Sequence, residues 1–355
     1  MVEEIRDLLE FNTAGDPMTG KKWSRQTPGK IAVCLQERLN IHVSAATVYR
    51  LLSQLNYSLK GNCKTLSTGT HPDRDEQFGI IESFRRQFEA AGDPIISVDT
   101  KKKELIGLFK NQGQVWCREA PKVKDHDFRS QALGIAAPYG IYDVGLNSGV
   151  VVVGQSADTP EFAVNSIASW WLHHGSWQYP NSKQLLILAD SGGSNGARPR
   201  AFKKFLQERI ANEYGLEVFV CHYPAGASKW NPIEHRMFSE ISKNWAGHPL
   251  ESFEILLNFV SNTRTETGLR IEAYLDEKEY EKGLKVSDKE FRELNISKNI
   301  NLGNWNYSIA PTHLPEEIHL NSWRMGVQEP LETNDEWIEA YRECSAISEC
   351  TIPVM

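Results

Sequence analysis

The sequence predicts an α/β fold, built on a mixed sheet with flanking helices and preceded by a small all-α region. Between residues 94 and 265, aliphatic runs typical of buried strands alternate with amphipathic helical segments. Residues 1–60 contain helix-like segments only. We therefore divide the chain into four regions: 1–60, a linker and helix at 61–93, an α/β domain at 94–265 with an insert at 110–148, and a C-terminal region at 266–355.

The composition is that of an ordinary globular protein, with 40% hydrophobic and 24% charged residues. No apolar run approaches the roughly 20 residues that span a bilayer, and the acidic, amphipathic N-terminus is unlike a secretory signal. The six cysteines are scattered and form no CxxC pair, which favours reduced thiols over disulfides or a zinc site. These features predict a cytoplasmic protein that does not enter the membrane.

The net charge of −7 conceals an uneven distribution along the chain. Residues 20–60 carry seven basic side chains and one acid, whereas residues 311–355 carry two basic side chains and nine acids. A basic N-terminal region favours contact with nucleic acid, and the acidic tail is best considered separately.

Two short helices follow each other in the basic region. Thr27-Pro28 opens the first, and Ser44 caps a second that runs from Ala45 to Leu55. This pattern is typical of a helix-turn-helix, although any small helical hairpin would share it. The side chains that we expect to reach bases or phosphates are Lys30, Thr47, Tyr49 and Arg50.

Two strand-like runs end in an acid. Leu185–Ala189 precedes Asp190 and a glycine-rich loop, and Ile95–Val98 precedes Asp99. Such runs indicate strands buried on both faces, and α/β sheets place their sites at the carboxyl ends of these strands. If the two strands are parallel neighbours, the two acids lie side by side.

A third acid, Glu234, stands in the first turn of a helix that follows the fifth predicted strand. Each acid has a simpler explanation. Asp99 could cap a turn, Asp190 could bond the amides of its own loop, and Glu234 could be a first-turn acid favoured by the helix dipole. Three carboxylates on three elements would instead suit two Mg²⁺ or Mn²⁺ ions, which prefer oxygen ligands. Two such ions can act on a phosphodiester.

Three long segments resemble the catalytic motifs of bacterial insertion-sequence transposases: DPIISVDTKKKELIGLFKN, LLILADSGGSNGAR and CHYPAGASKWNPIEHRMFSEISKNW. The similarity covers most of the chain, and the chain is identified as a member of the Rhodopirellula-type DDE transposase family. The resemblance implies an RNase H-like fold with a five-stranded mixed sheet. It also implies that Asp99, Asp190 and Glu234 are the catalytic and metal-binding residues.

Polar residues around these acids are further candidates. The loop at 191–196 lacks the Gly-Lys-Ser/Thr of a nucleotide P-loop, so ATP binding is not expected. Ser191, Asn231 and His235 are candidates for supporting the site. The side chains that we expect to contact DNA here are Lys101, Lys102, Lys103, Asn195, Arg198 and Lys229.

We therefore expect a DNA transposase that cleaves at transposon ends and joins them to target DNA with two Mg²⁺ or Mn²⁺ ions. Its partners would be double-stranded DNA, both terminal inverted repeats and target, and by resemblance a second copy of the chain or a larger assembly. It would act in the bacterial cytoplasm, at the nucleoid. Two alternatives stay open: an RNase H-like nuclease or resolvase without strand transfer, and a non-catalytic DNA-binding repressor derived from a truncated transposase.

Overall fold

The computed structural model describes residues 2–11, 14–15, 22–23, 26–59, 71–115 and 117–313, without side chains at 7–25 and 228. Most of the predicted linker and the acidic tail from residue 314 onward lie outside these residues. The chain divides into two compact units, residues 1–67 and 68–355.

The first unit is mainly helical in its described parts. Capping follows the sequence, since the Thr27 and Ser44 side chains accept bonds from the backbone N–H groups of Lys30 and Thr47 at 3.2 and 3.1 Å. Ile31 and Val48 are buried in its small apolar core. Its elements are α1 (Val2–Phe11), β1 (Ala14–Gly15), β2 (Lys22–Trp23), α2 (Pro28–Leu39) and α3 (Ala45–Gln54).

The second unit is built on one mixed sheet, which has nine strands in the described part of the chain. These strands are β3 (Ile95–Thr100), β4 (Glu104–Ile106), β5 (Gly134–Asp143), β6 (Ser148–Gly154), β7 (Gln184–Ala189), β8 (Glu217–His222), β9 (Arg270–Asp276), β10 (Ile296–Lys298) and β11 (Asn306–Ile309).

The middle of this sheet confirms the predicted RNase H-like fold. β3 pairs antiparallel with β5, which pairs antiparallel with β6. On its other side β3 pairs in parallel with β7, which pairs in parallel with β8. The sheet is wider than the five strands expected, because β9 extends one edge while β11 and then β10 extend the other.

The predicted insert at 110–148 is not irregular throughout. Its second half contains β5, the longest strand of the sheet, which is buried along most of its length. The segment just before the insert contributes only the short strand β4, which pairs with β5 at the side of the sheet. Pro138 and the glycines of β5 argue against a central strand in the sequence, and tertiary packing overrides that preference.

Helices cover both faces of the sheet. They are α4 (Arg74–Ala91), α5 (Pro160–Trp170), α6 (Ser176–Gln178), α7 (Arg200–Leu206), α8 (Asn212–Tyr214), α9 (Ser239–Asn244), α10 (Phe253–Ser261) and α11 (Asp288–Arg292). π-helical turns join α5 to α6, join α7 to α8 and precede α9; these are Trp171–Gly175, Gln207–Ala211 and Glu234–Phe238.

The core has two sides because side chains alternate along each strand. On one side α5 and α7 pack against Ile96, Val98 and Ile187. On the other, α4 packs against Leu186 and Leu188, while α10 and the helix that begins near Glu234 pack against β5 and β6. Each fully buried aliphatic side chain contributes about 1.5–3 kcal/mol, which favours folding over an exposed chain.

Two buried amides join the beginning and the end of this unit. Gln77 of α4 donates to Asn306 Oδ1 of β11 at 2.8 Å, and Asn306 donates back to Gln77 Oε1 at 2.6 Å. Gln77 also donates to the backbone carbonyl of His222 at 2.8 Å, and both amide side chains are fully buried. None of the helices that the structure describes has the length and apolar character needed to cross a membrane.

Candidate active site

Asp99 and Asp190 lie next to each other at the carboxyl edge of the sheet. Val98 of β3 is aligned with Ala189 of β7 in a parallel pair, so the residue that follows each is one of the two acids. One oxygen of each carboxylate is held by the next backbone amide, at 2.7 Å from Thr100 N and 2.8 Å from Ser191 N. The simple explanation for Asp190, a bond to its own loop, therefore accounts for one of its two oxygens.

Glu234 approaches the same edge as the first residue of the π-helical turn Glu234–Phe238, which precedes α9. Its side chain interacts with that of Asp99: the charge of Glu234 contributes to the raised pKa of Asp99, and Asp99 in turn acts on the pKa of Glu234. The structure thus brings together the three acids that the sequence singles out. π-helical turns are frequent at functional sites, where they redirect a side chain.

The pKa values of the three acids are raised mainly by burial, and those of Asp99 and Glu234 also by repulsion from neighbouring acids. Burial raises the pKa of Asp99 to about 7, the Thr100 amide opposes this, and the charges of Asp190, Glu234 and Asp158 raise it further. Burial also raises the pKa values of Asp190 and Glu234, although nearby Lys101 partly offsets the effect on Glu234. This edge of the sheet therefore concentrates negative charge that a cation would neutralise.

The donor set fits hard divalent cations in kind, since carboxylate oxygens are the ligands that Mg²⁺ and Mn²⁺ prefer. Within the described ranges, however, no group of three or more His, Cys, Asp or Glu side chains is spaced closely enough to hold an ion together. The three acids are thus neighbours at one edge of the sheet rather than a closed set of ligands.

Two buried asparagines fix the position of these acids. Asn195 of the glycine-rich loop and Asn231, just before Glu234, both donate to the carbonyl of Val98, at 3.4 and 3.3 Å. Asn231 also accepts a bond from the Ser97 hydroxyl, which in turn accepts from the Ile233 amide at 3.0 Å. The loop after Asp190 and the helix of Glu234 are therefore both attached to the strand of Asp99.

The position of Asn195 corrects one expectation from the sequence. Its side chain is 1% exposed and points into the protein, so it offers no surface for the DNA contact that we predicted. Glycine-rich loops with polar residues usually lie on the surface, whereas this loop turns inward. Ser191 donates its hydroxyl to the carbonyl of Tyr223 and so ties the same loop to the end of β8.

Lys101 also differs from its predicted role. Its side chain is 11% exposed, lies 3.5 Å from Glu104, and stacks 4.5 Å from the ring centre of Trp245. Burial lowers the pKa of Lys101, and its ammonium interacts with nearby carboxylates, including that of Glu234, instead of facing solvent. Lys102 and Lys103 are exposed, as a phosphate contact requires.

The remaining predicted side chains of the second unit lie on the surface. Arg198 is exposed beside the Asp190 loop. Lys229 is exposed with its ammonium 5.1 Å from the ring centre of Trp230, and its carbonyl contacts His235 Nε2. His235 thus holds the turn before the Glu234 helix.

In the first unit, the predicted DNA-contacting residues are exposed or partly exposed. Lys30, Tyr49 and Arg50 are exposed, and Thr47 is partly exposed, with its hydroxyl 3.5 Å from the Arg50 guanidinium. Val48, between them in sequence, is buried in the core of the unit. The second helix therefore buries one face and presents the other.

Sequence reasoning missed two groups at the acid cluster. Asp158 accepts a bond from the Thr100 hydroxyl at 3.2 Å, and its charge contributes to the raised pKa of Asp99. Tyr139 of β5 is fully buried near both acids, and its hydroxyl has no hydrogen-bond partner among the described residues. Asp158 follows the valine-rich β6 much as Asp99 follows its own aliphatic run, a signal that could have identified it.

Comparisons with known proteins gave one family and one set of solved structures. The model of the Rhodopirellula transposase DDE domain matches residues 4–311. The chain is similar to Mos1 transposase in its paired-end complex with left transposon end, at 13% identity, 72% coverage of this chain, 68% of that chain and a TM-score of 0.39. For the Mos1 strand transfer complex the identity is 13%, the coverage is 73% of this chain and 68% of that chain, and the TM-score is 0.38. For the Mos1 mariner paired-end complex with Mn the identity is 14%, the coverage is 72% of this chain and 68% of that chain, and the TM-score is 0.37. No curated protein matched.

Proposed function

Because the chain belongs to the Rhodopirellula transposase DDE domain family, we propose that it cleaves DNA at transposon ends and joins them to target DNA, using Asp99, Asp190 and Glu234. The observation that supports these residues is their meeting at one sheet edge from β3, β7 and the helix before α9. Burial raises all three pKa values, and repulsion by neighbouring acids adds to those of Asp99 and Glu234; raised pKa values of this kind are common among groups at functional sites.

The three carboxylates would hold two divalent ions of the Mg²⁺ or Mn²⁺ kind. Such ions, when bound, increase the nucleophilicity of an attacking oxygen and neutralise charge on the phosphate and the leaving oxygen. Asn195 and Asn231 would keep the Asp190 loop and the Glu234 helix in fixed positions against Val98. This positioning matters because in-line displacement at phosphorus depends mainly on geometry.

The chemistry proceeds in two displacements at phosphorus. Water attacks a phosphodiester at the transposon end, the bond to the 3′-oxygen breaks, and a free 3′-hydroxyl results. That hydroxyl then attacks a phosphodiester of target DNA, so that one bond forms as another breaks. Neither displacement requires a covalent enzyme intermediate or ATP.

The first unit would recognise the transposon ends through Lys30 of α2 and Thr47, Tyr49 and Arg50 of α3, whose side chains are exposed or, for Thr47, partly exposed. Lys102, Lys103, Arg198 and Lys229 of the second unit would contact DNA phosphates near the acids. Because a transposon has two ends, we propose that a dimer or larger assembly of this chain acts on them together.

The test is cleavage and strand transfer on a duplex that carries the inverted repeats flanking the gene, with Mn²⁺ or Mg²⁺. Asp190→Asn preserves size and the bond from Ser191 N, so it should abolish both reactions while DNA binding persists. Asp125→Asn, a matched change on an exposed acid, should leave both reactions unchanged. Cleavage without joining in the unchanged chain would favour a nuclease or resolvase, and binding without cleavage would favour a repressor.

A further inference from the structure

A large cavity opens beside Asp190, on the side away from Asp99. Its volume is about 1220 Å³, and it lies between the loop that follows Asp190 and the segment 291–307. The glycines of the Asp190 loop form part of its wall, so backbone groups are accessible there. The segment that closes the other side belongs to the C-terminal region, to which the sequence assigns no role.

The walls of this cavity, which we call the basic groove, carry mainly positive charge. Asp190 is the one acid among the described residues that line it. Arg200 is paired with Asp288 at 2.6 Å. The other basic side chains of the groove have no carboxylate partner among the described residues; they are Arg198, Lys203, Arg292 and Lys298.

Lys203 is the most unusual of these cations because it is buried. Its side chain is 8% exposed, donates to the carbonyl of Ala197, and lies 4.8 Å from the ring centre of Tyr307. Burial lowers its pKa to about 8, and the nearby charge of Lys298 contributes. A buried ammonium without a counter-ion is unfavourable, so an anion that enters the groove would stabilise it.

Tyr307, over whose ring this cation lies, is connected to the backbone of Asp190 by two hydrogen bonds. The Tyr307 hydroxyl lies 3.2 Å from His222 Nε2, and His222 Nδ1 lies 3.0 Å from the carbonyl of Asp190. Burial lowers the pKa of His222 to about 4, so the ring is neutral at pH 7. A carbonyl only accepts, so Nδ1 carries the proton and Nε2 accepts from Tyr307.

This connection gives the groove a fixed geometry relative to the acids. His222 and Tyr307 are both fully or almost fully buried, on the neighbouring strands β8 and β11. An anion bound at Lys203 would therefore stand at a set distance from the Asp190 carboxylate. A groove with a rigid, buried base and with cations that lack carboxylate partners suits a polymer that presents phosphates at regular intervals.

We propose that the basic groove binds the phosphodiester backbone of the DNA strand that adjoins the scissile phosphate, with Lys203 anchoring one phosphate and Arg292 and Lys298 contacting others. This rests on the proposed function for the identity of the ligand. Partly buried Trp305, with His71 packed edge-on at 4.7 Å, lines the same groove and offers an aromatic surface to a base. The C-terminal region would thus hold substrate rather than only extend the sheet.

The experiment measures binding of full-length protein to a transposon-end duplex in EDTA, across a range of salt concentrations. The double variant R292Q/K298Q changes two exposed side chains without ion pairs, so the fold should be retained. Each lost phosphate contact lowers the slope of log affinity against log salt by about 0.9, so the slope should fall by about 2. Lys183→Gln, at the opposite end of β7, is the matched control and should leave the slope unchanged.

A second measurement locates the contact on the protein. Acetylation of lysines, read by mass spectrometry with and without the duplex, should show Lys298 protected by DNA and Lys183 equally reactive in both states. Lys203→Gln should weaken binding further, but it also removes the contacts to Ala197 and Tyr307, so the double variant is the decisive one.

Either of two results would overturn the proposal: an unchanged salt slope in the double variant, or equal acetylation of Lys298 with and without DNA. Cleavage by the unchanged protein is measured separately in Mn²⁺. If the unchanged protein cleaves DNA but the double variant keeps the same salt slope, the groove is not a DNA-binding site, while the proposed function stands. If the double variant has a lower salt slope but the unchanged protein does not cleave DNA, the groove binds DNA and the proposed cleavage reaction is wrong.

Discussion

Replacing Asp99 by Asn should stabilise the protein while abolishing cleavage. Asn keeps the side-chain oxygen that accepts from Thr100 N at 2.7 Å, so the local bond survives. It removes a carboxylate that is crowded by burial and by the charges of Asp190, Glu234 and Asp158. Active sites commonly sacrifice stability in this way, because groups arranged for chemistry are not arranged for folding.

The magnitude follows from the pKa of Asp99. Folding raises it from 3.8 to about 7, and at about 1.36 kcal/mol per tenfold change this corresponds to about 4 kcal/mol. Partial contact with solvent screens the charges, so we expect about 2–4 kcal/mol. Because the folded-state pKa is raised, the wild type is penalised where Asp99 ionises, and its stability falls as pH rises from about 4 to 7. The gain from Asn should be near zero at pH 4 and complete at pH 8.

Hydrogen exchange of the β7 amides, in EDTA, measures the free energy of opening in the second unit without a contribution from the first. The matched control is Asp125→Asn, whose side chain is 92% exposed and should change nothing at any pH. If Asp99→Asn lowers the opening free energy at pH 8, or raises it equally at pH 4 and pH 8, burial and neighbouring charge do not raise the pKa of Asp99 as described.

Three further outcomes are expected. Mn²⁺ at ten times its dissociation constant should stabilise the wild type by about 1.4 kcal/mol and stabilise Asp99→Asn much less. Asn231→Leu should cost about 1–3 kcal/mol, since the buried Ser97 hydroxyl loses its acceptor while the Val98 carbonyl keeps its bond from Asn195, and should lower the rate of cleavage more than DNA affinity. Arg50→Gln should weaken binding to transposon-end DNA and lower its salt slope by about 1.

Each of these has a control and a contrary result. Ca²⁺, which tolerates more irregular oxygen ligands, distinguishes general charge neutralisation from a selective site; equal stabilisation of wild type and Asp99→Asn by Mn²⁺ would argue against metal binding there. For Asn231, unchanged cleavage would show that the Glu234 helix is positioned by packing alone. For Arg50, the control is Arg86→Gln on α4, and equal losses in both variants would remove the specific role of α3.

Much of the fold follows from local sequence. Four large aliphatic residues before Ala189-Asp190 identify β7, and Ile95, Ile96 and Val98 before Asp99 identify β3, because such runs suit strands covered on both faces. β5 could not be recognised in this way. Its Gly140 is required because a Cβ there would stand 2.6 Å from the side chains of Met237 and Phe238, so the helix of Glu234 packs directly on the strand. That requirement arises from a partner almost 100 residues away.

The acids were easier to identify than the groups that position them. An acid at the end of an aliphatic run is visible in the sequence, whereas the inward turn of Asn195 depends on a contact with Val98, on a different strand. Lys101 looks like a surface lysine next to Lys102 and Lys103, and only Trp245 and Glu104 make it a buried one. Long-range contacts, which the composition does not reveal, decide which of these side chains are buried and which are exposed.

The amide pair between Gln77 and Asn306 also bears on how the protein is made. The two residues are 229 positions apart, so at a synthesis rate of about 5–20 residues per second roughly 10–50 s pass between their translation. During that interval β11 is absent, and with it the Tyr307 bond to His222 that supports the Asp190 backbone. A nascent chain on the ribosome therefore has its helical unit long before its acids are fully supported, so under the proposed function contact with DNA would precede cleavage.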